Sequence, residues 1–201
     1  PVNVAAFDEA GVPAEAAGPH ADPAAIAAAA EEAARAGSPA REIAVIREFH
    51  LAGGVEHFHR LRERFPAFDL VVLHGIHSLA HAAALDTGVS FATAVFDPIL
   101  LPSRVAPPPG TPNLGPLNRV SWAILDRMLA GTARPLRELL VAAGSRHPDV
   151  PLFRARSERL HLVACSPTLV TLPPDVPAAT RLTGAWLARG PVPALPGFDT
   201  L

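Results

Sequence analysis

Cysteine occurs once in the 201 residues, at Cys165, so no intramolecular disulfide can form and nothing in cysteine usage argues for secretion. No apolar run reaches the 18 or so residues of a membrane-spanning helix candidate. Lysine is missing altogether: all 17 basic residues are arginine. With abundant alanine, proline and glycine, this marks a GC-rich coding bias and carries little functional message. An excess of charge is also lacking, the net value being -2. That balance speaks against a nucleic-acid partner or attraction to an anionic membrane. Neither GxGxxG nor GxxxxGK[ST] occurs, and no GxSxG nucleophile elbow, so a bound nucleotide would have to be held by other means.

What the chain does have is a core-forming composition, 49% hydrophobic, at a length that buries roughly 70% of the unfolded surface. Its organising stretch runs from Phe68 to Pro98. Leu70-Val71-Val72-Leu73 is short, apolar and β-branched, and predicts a strand buried on both faces, as in parallel sheets. His74-Gly75 ends it. An alanine-rich helix from Ile76 to Leu85 follows, stopped by Asp86-Thr87-Gly88 with Gly88 as left-handed cap. A second strand from Val89 to Phe96 completes a βαβ unit with a right-handed crossover. Ligands of open parallel sheets collect beyond the carboxyl ends of the strands, which puts His74, Gly75, His77 and Asp97 at the edge where chemistry would sit.

Before this unit, Val2–Phe7 reads as a short strand. Asp22-Pro23 and Ser38-Pro39 read as helix starts, for helices over 24–36 and 40–51. Val55, Phe58, Leu61 and Phe65 fall at helical spacing. After it come a proline-rich loop over 99–116, a helix from Leu117 to Leu129 with Val120, Ile124 and Met128 on one stripe, and a further helix to Ala143 after Pro135. A third strand, Leu160–Ala164, and the end of a fourth, Arg181–Gly184, close the pattern. Strands alternating with helices predict an open, mainly parallel, Rossmann-like α/β sheet with helices on both faces, the strands near Leu70, Val89 and Leu160 being central.

Histidine supplies the sharpest polar cluster. In a helix beginning near Ile76, His77 and His81 lie one turn apart and His74 sits just before them, a spacing that chelates metals. No carboxylate or cysteine stands nearby at ligand spacing, so a divalent metal is not expected, and cleft-facing or solvated histidines are the alternative. His57 and His59 flank Phe58 and read as a solvated helix face. Cys165, at a strand end, reads as an inert buried thiol. Asp97-Pro98 is either a turn starter or part of a cleft.

Four ordered signatures go further. They are Asp69–Val72 with its helix and Thr87-Gly88-Val89; then Pro98-Ile99-Leu100-Leu101-Pro102-Ser103-Arg104; then Leu117-Asn118-Arg119-Val120-Ser121-Trp122, with Arg137 beyond. The last joins Cys165-Ser166-Pro167, Leu172 to Pro177 and Leu182-Thr183-Gly184-Ala185-Trp186. From about Asp69 to Trp186 the chain thus resembles the N-terminal half of GT-B glycosyltransferases, within the sterol, macrolide and antibiotic group.

The resemblance implies an acceptor-binding domain over 1–186, its first strand and base-bearing loop missing. It implies a proline- and glycine-rich linker over 187–201 leading to a donor-binding domain outside this sequence. The start at Pro1, inside an apolar stretch and without methionine, fits a piece of something longer, inactive alone. It implies inverting transfer of a sugar from a UDP- or dTDP-sugar to a hydroxyl of an apolar polyketide, macrolide or sterol-like acceptor, with no metal or other cofactor. His74 would support a base lying outside the chain, a departure from the Asp or Asn common at that place. His77, Asp97, Pro98, Leu100, Leu101 and Arg104 would contact the acceptor. A cytoplasmic setting and peripheral membrane contact go with these expectations. Two rivals stand beside them: an accessory binding protein on the same half-fold, and a metal-dependent hydrolase built on His74, His77 and His81.

Overall fold

The computed structural model describes residues 11–15, 23–35, 37, 39–96, 101–108, 110–152 and 154–186. The expected strand Val2–Phe7, the expected caps Asp22 and Ser38, the residues Asp97, Pro98 and Leu100, and the linker segment lie outside the described residues.

Helices α1 (Pro23–Arg35), α2 (Pro39–Leu51) and α3 (Gly54–Arg64) lead into strand β1 (Leu70–His74). Helix α4 (Ser78–Thr87) and strand β2 (Ser90–Val95) follow, then α5 (Asn118–Thr132), α6 (Arg134–Ala142), β3 (His161–Val163) and β4 (Thr180–Leu182). The strands form one sheet in the order β1-β2-β3-β4. Every pairing is parallel: Leu73 lies opposite Thr93, Thr93 opposite His161, and His161 opposite Thr180. The protein is an open α/β, Rossmann-like fold. Among the described residues, no helix is long and apolar enough to cross a membrane.

The core lies where α3, α4 and α6 meet the sheet face carrying Val71 and Leu73. Phe58, Leu136 and Leu140 are fully buried there, with Leu79 and Leu152 around them. Ala82, Ala83 and Ala84 give α4 side chains so small that its neighbours approach closely, which explains an alanine run in a buried helix. Gly88 ends α4 at φ 72, its N–H donating to the Ala84 carbonyl at 3.0 Å. Only glycine enters that left-handed conformation without strain. Asp86, one residue inside that end, is buried and accepts from the Arg146 N–H at 3.0 Å and the Ser145 hydroxyl at 3.2 Å, tying α4 to the turn after α6.

Two expectations are corrected. β1 is not buried on both faces: Leu70 is 53% and Val72 55% exposed, and among the described strands β1 forms the edge rather than the centre. Its apolar run covers the helices on one side only. The stripe Val120, Ile124, Met128 also faces outward, all three about half exposed. Helix α5 is turned instead by Asn118, Trp122 and Asp126, four residues apart, each of which bonds to a loop. A polar anchor that must be satisfied inside outweighs a moderate gain from burying apolar surface.

Candidate functional site

The carboxyl end of β1 does not run straight into a helix. Gly75 continues the ladder by donating to the Ala94 carbonyl at 3.0 Å, and its own carbonyl accepts from the Ala155 N–H at 2.8 Å. A tight turn follows, with the His77 N–H bonded to the His74 carbonyl at 3.0 Å, so α4 begins two residues later than expected. That delay separates the histidines. His77 stands at the N-cap with φ -84 and ψ 77, its ring edge-on to His50 at 5.9 Å and to His74 at 6.0 Å. His81 lies inside α4, 8% exposed, with its ring against Phe91 at 5.3 Å. The three therefore do not converge on one point. Among the described residues no group of three or more histidine, cysteine or carboxylate side chains could hold a metal ion.

A cavity of about 480 Å³ opens beside this turn, within the size range of small-molecule sites. His74, Gly75, Leu101, His81, Arg154 and His161 are among the residues that line it. The wall also includes Asp126 and Leu129 of α5. Of the expected acceptor contacts, Leu101 and the presumed helper His74 reach this cavity. His77 turns toward His50, and Arg104 is exposed beside Asp175 in a smaller hollow near Trp122.

His74 accepts from the Ile76 N–H through Nδ1 at 3.4 Å and stacks on Phe96 at 5.4 Å with the rings 29° apart. Phe96 in turn meets Trp186 edge-on at 6.3 Å. Cys165 donates its thiol to the Phe96 carbonyl and is only half-buried, so the expected burial of this thiol is corrected. Gly75 is the narrowest point. A Cβ there would stand 2.6 Å from Cγ1 of Val95 and 3.4 Å from the Ala155 carbonyl oxygen. Val95 is β-branched and stiff at χ1, so it yields little. Gly75→Ala is expected to cost about 1–3 kcal/mol and to lower the melting temperature by several degrees in calorimetry. An unchanged transition would show that the strand end gives way freely.

The second, third and fourth signatures meet around one loop. Asp175 accepts from the Ser103 hydroxyl and from the Arg104 N–H, each at 2.6 Å. These two bonds, in that order, hold its carboxyl below the ordinary aspartate value. Ser103 Oγ then accepts from the N–H groups of Val105 at 2.9 Å and Ala106 at 3.0 Å. Asn118, fully buried, donates to the carbonyls of Arg104 and Val105 and accepts from the Leu114 N–H at 2.9 Å. Trp122 Nε1 donates to the Ala106 carbonyl at 2.9 Å. Arg154 pairs with Asp126 and lies over the Trp122 ring at 5.7 Å, carrying the same network into the cavity wall.

Several site residues escaped the sequence reading. His161 opens β3 in a run of apolar residues, and a lone polar residue inside a buried strand was the available signal. It bonds to Thr93 at 2.7 Å, while its Nε2 is buried with no partner. Burial first, then Arg156, lowers its pKa; burial and His147 do the same for His81. His57 is not part of a solvated face: it is half-buried, and its Nδ1 also lacks a partner.

No family model matches the chain, and no curated protein matches it significantly in sequence.

Proposed function

We propose that this chain is the acceptor-binding part of a nucleotide-sugar-dependent glycosyltransferase acting on apolar, hydroxylated natural products. The observation that carries this reading is the meeting of Ser103, Asn118, Trp122 and Asp175. They come from three separate signatures of the resemblance, yet they bond around one loop beside a cavity at the strand ends. A mostly apolar pocket with a few placed polar groups suits such acceptors.

In the reaction, a base takes the acceptor O–H proton and the freed oxygen attacks the anomeric carbon. The bond from that carbon to the diphosphate breaks, and the nucleoside diphosphate leaves with the electron pair. His74, in the cavity wall, orients the reacting hydroxyl or the base that serves it. The donor would bind to a second half outside these residues, because a diphosphate needs several converging donors such as a helix N-terminus and backbone amides.

Calorimetry of the 201-residue chain with polyketide and sterol aglycones, and separately with UDP- and dTDP-sugars, tests this. Aglycone binding without nucleotide-sugar binding is the expected result. Tight nucleotide-sugar binding, or failure of every aglycone, would overturn it. In a protein carrying both halves, His74→Ala should lower kcat/KM about tenfold or more, about 1.4 kcal/mol of transition-state binding. Unchanged kinetics with a lowered melting temperature would mean that His74 is structural. An accessory binding protein would bind aglycone equally well but show no transfer with both halves present.

A further inference from the structure

Three aromatic rings adjoin at the carboxyl edge of the sheet. His74 ends β1, Phe96 comes one residue after β2, and Trp186 four residues after β4. Phe96 stacks with His74 and meets Trp186 with 88° between the ring planes. Phe96 is 57% and Trp186 49% exposed, so broad apolar faces stand in water. One exposed apolar side chain asks for no explanation, but adjoining aromatic rings at the edge where parallel sheets collect ligands do. Neither of these two rings hangs on a free tether. The Ala164 N–H donates to the Val95 carbonyl at 2.8 Å, just before Phe96, and the Cys165 thiol donates to the Phe96 carbonyl. The Thr183 N–H donates to the Val163 carbonyl at 3.0 Å, and the Thr183 hydroxyl oxygen accepts from Trp186 Nε1 at 3.0 Å. That bond satisfies the only polar group of the indole, so the rest of the ring offers π surface alone. His74 also lines the cavity, which makes the three rings continuous with it.

We propose that Phe96 and Trp186 are specificity-determining residues that stack a flat aromatic ring of the bound molecule, so that the site prefers planar aromatic acceptors to saturated ones of the same skeleton. This rests on the acceptor-binding reading above and narrows its acceptor class. Two ring planes near a right angle form a corner, where a third flat ring lies face to face with one and edge to face with the other. Saturating that third ring puckers it and removes its π faces, while its apolar area stays similar. Hydrophobic burial alone therefore gives no preference for the flat compound.

The test uses 2-naphthol and decahydro-2-naphthol, which share skeleton and hydroxyl and differ in aromaticity. Calorimetry of the 201-residue chain should show 2-naphthol binding about fivefold more tightly. Trp186→Leu keeps an apolar side chain without a ring; it should remain folded and bind both alcohols alike. Trp186→Phe, which brings back a ring, should restore part of the preference. Proton spectra give a second readout, because the chain has two tryptophans and Trp122 is 4% exposed. The indole N–H of Trp186 should shift in the ring current of added 2-naphthol, and that of Trp122 should stay. Equal binding of the two alcohols by the wild-type chain, or tighter binding of the saturated one, overturns the inference and leaves the acceptor-binding reading standing. So does an unchanged preference in Trp186→Leu, or a wild-type dimer that Trp186→Leu dissociates. Binding of neither alcohol overturns the inference, and failure of every aglycone overturns the reading as well.

Discussion

Acidification from pH 7 to pH 5 is expected to destabilise this protein and to lower its melting temperature by several degrees. Histidine is the cause. His50, His57, His77, His81 and His161 all have pKa values lowered from the ordinary 6.5, His77 to about 4. Burial is the largest cause at each. Neighbouring cations add to it: His74 at His50, Arg60 at His57, His147 at His81, and Arg156 at His161. At His77 the neighbours are His50, His74 and His57, in that order. Below pH 6.5 the unfolded chain takes up protons that the folded chain refuses. Stability from these groups is therefore complete above 6.5 and is lost as pH falls below it, for His77 down to about 4. His77 keeps one side in solvent and His50 and His57 are only half-buried, so water screens part of the repulsion at these three. Denaturant midpoints measured from pH 7.5 to 5 check this. A flat profile would mean that the rings turn outward at little cost.

The second large effect is expected at Asn118. Asn118→Ala should cost about 3 kcal/mol, lower the melting temperature by about 6–12 °C, and make the 101–114 segment the first site of proteolysis. Its amide satisfies the Leu114 N–H and the carbonyls of Arg104 and Val105, and it donates to Asn113 Oδ1 at 2.9 Å. Alanine leaves these groups facing a void. Asn118→Asp separates volume from bonding, since it keeps the shape and the acceptor but offers no amide donor to the two carbonyls. It should be nearly as damaging above the aspartate pKa and partly recover when the acid is protonated. A small effect for both variants would show that the Asp175–Ser103 clamp alone holds the loop.

The alternation of elements was legible from local patterns. Gly53-Gly54, Pro66 and Gly88 mark breaks in the chain, and the short β-branched run at Leu70 needs no tertiary context to be read. The orientation of those elements was less legible. The Val120–Ile124–Met128 stripe promised an inward face, but Asn118 and Trp122 bond to a loop that only the fold brings near. Likewise His77 and His81 were one turn apart on paper, and a two-residue turn after His74 sent them to different neighbours. His161 is not legible in the sequence because an apolar pattern says where a strand is, not which of its residues lies against a cavity or bonds to a partner, here Thr93, 68 residues away.

That separation also orders events in time. β1 and β2 pair across roughly 20 residues of chain, whereas β3 reaches β2 only after the whole of α5, α6 and their loops. Closing the longer loop costs about 1 kcal/mol more, before any of its contacts repays it. The α3–β1–α4–β2 block should therefore assemble on the fast, local side of the folding barrier, and the pairing of Thr93 with His161 should come late. The cavity has walls from both halves, so it comes into being only with that last step: this hollow is the slowest part of the molecule to exist.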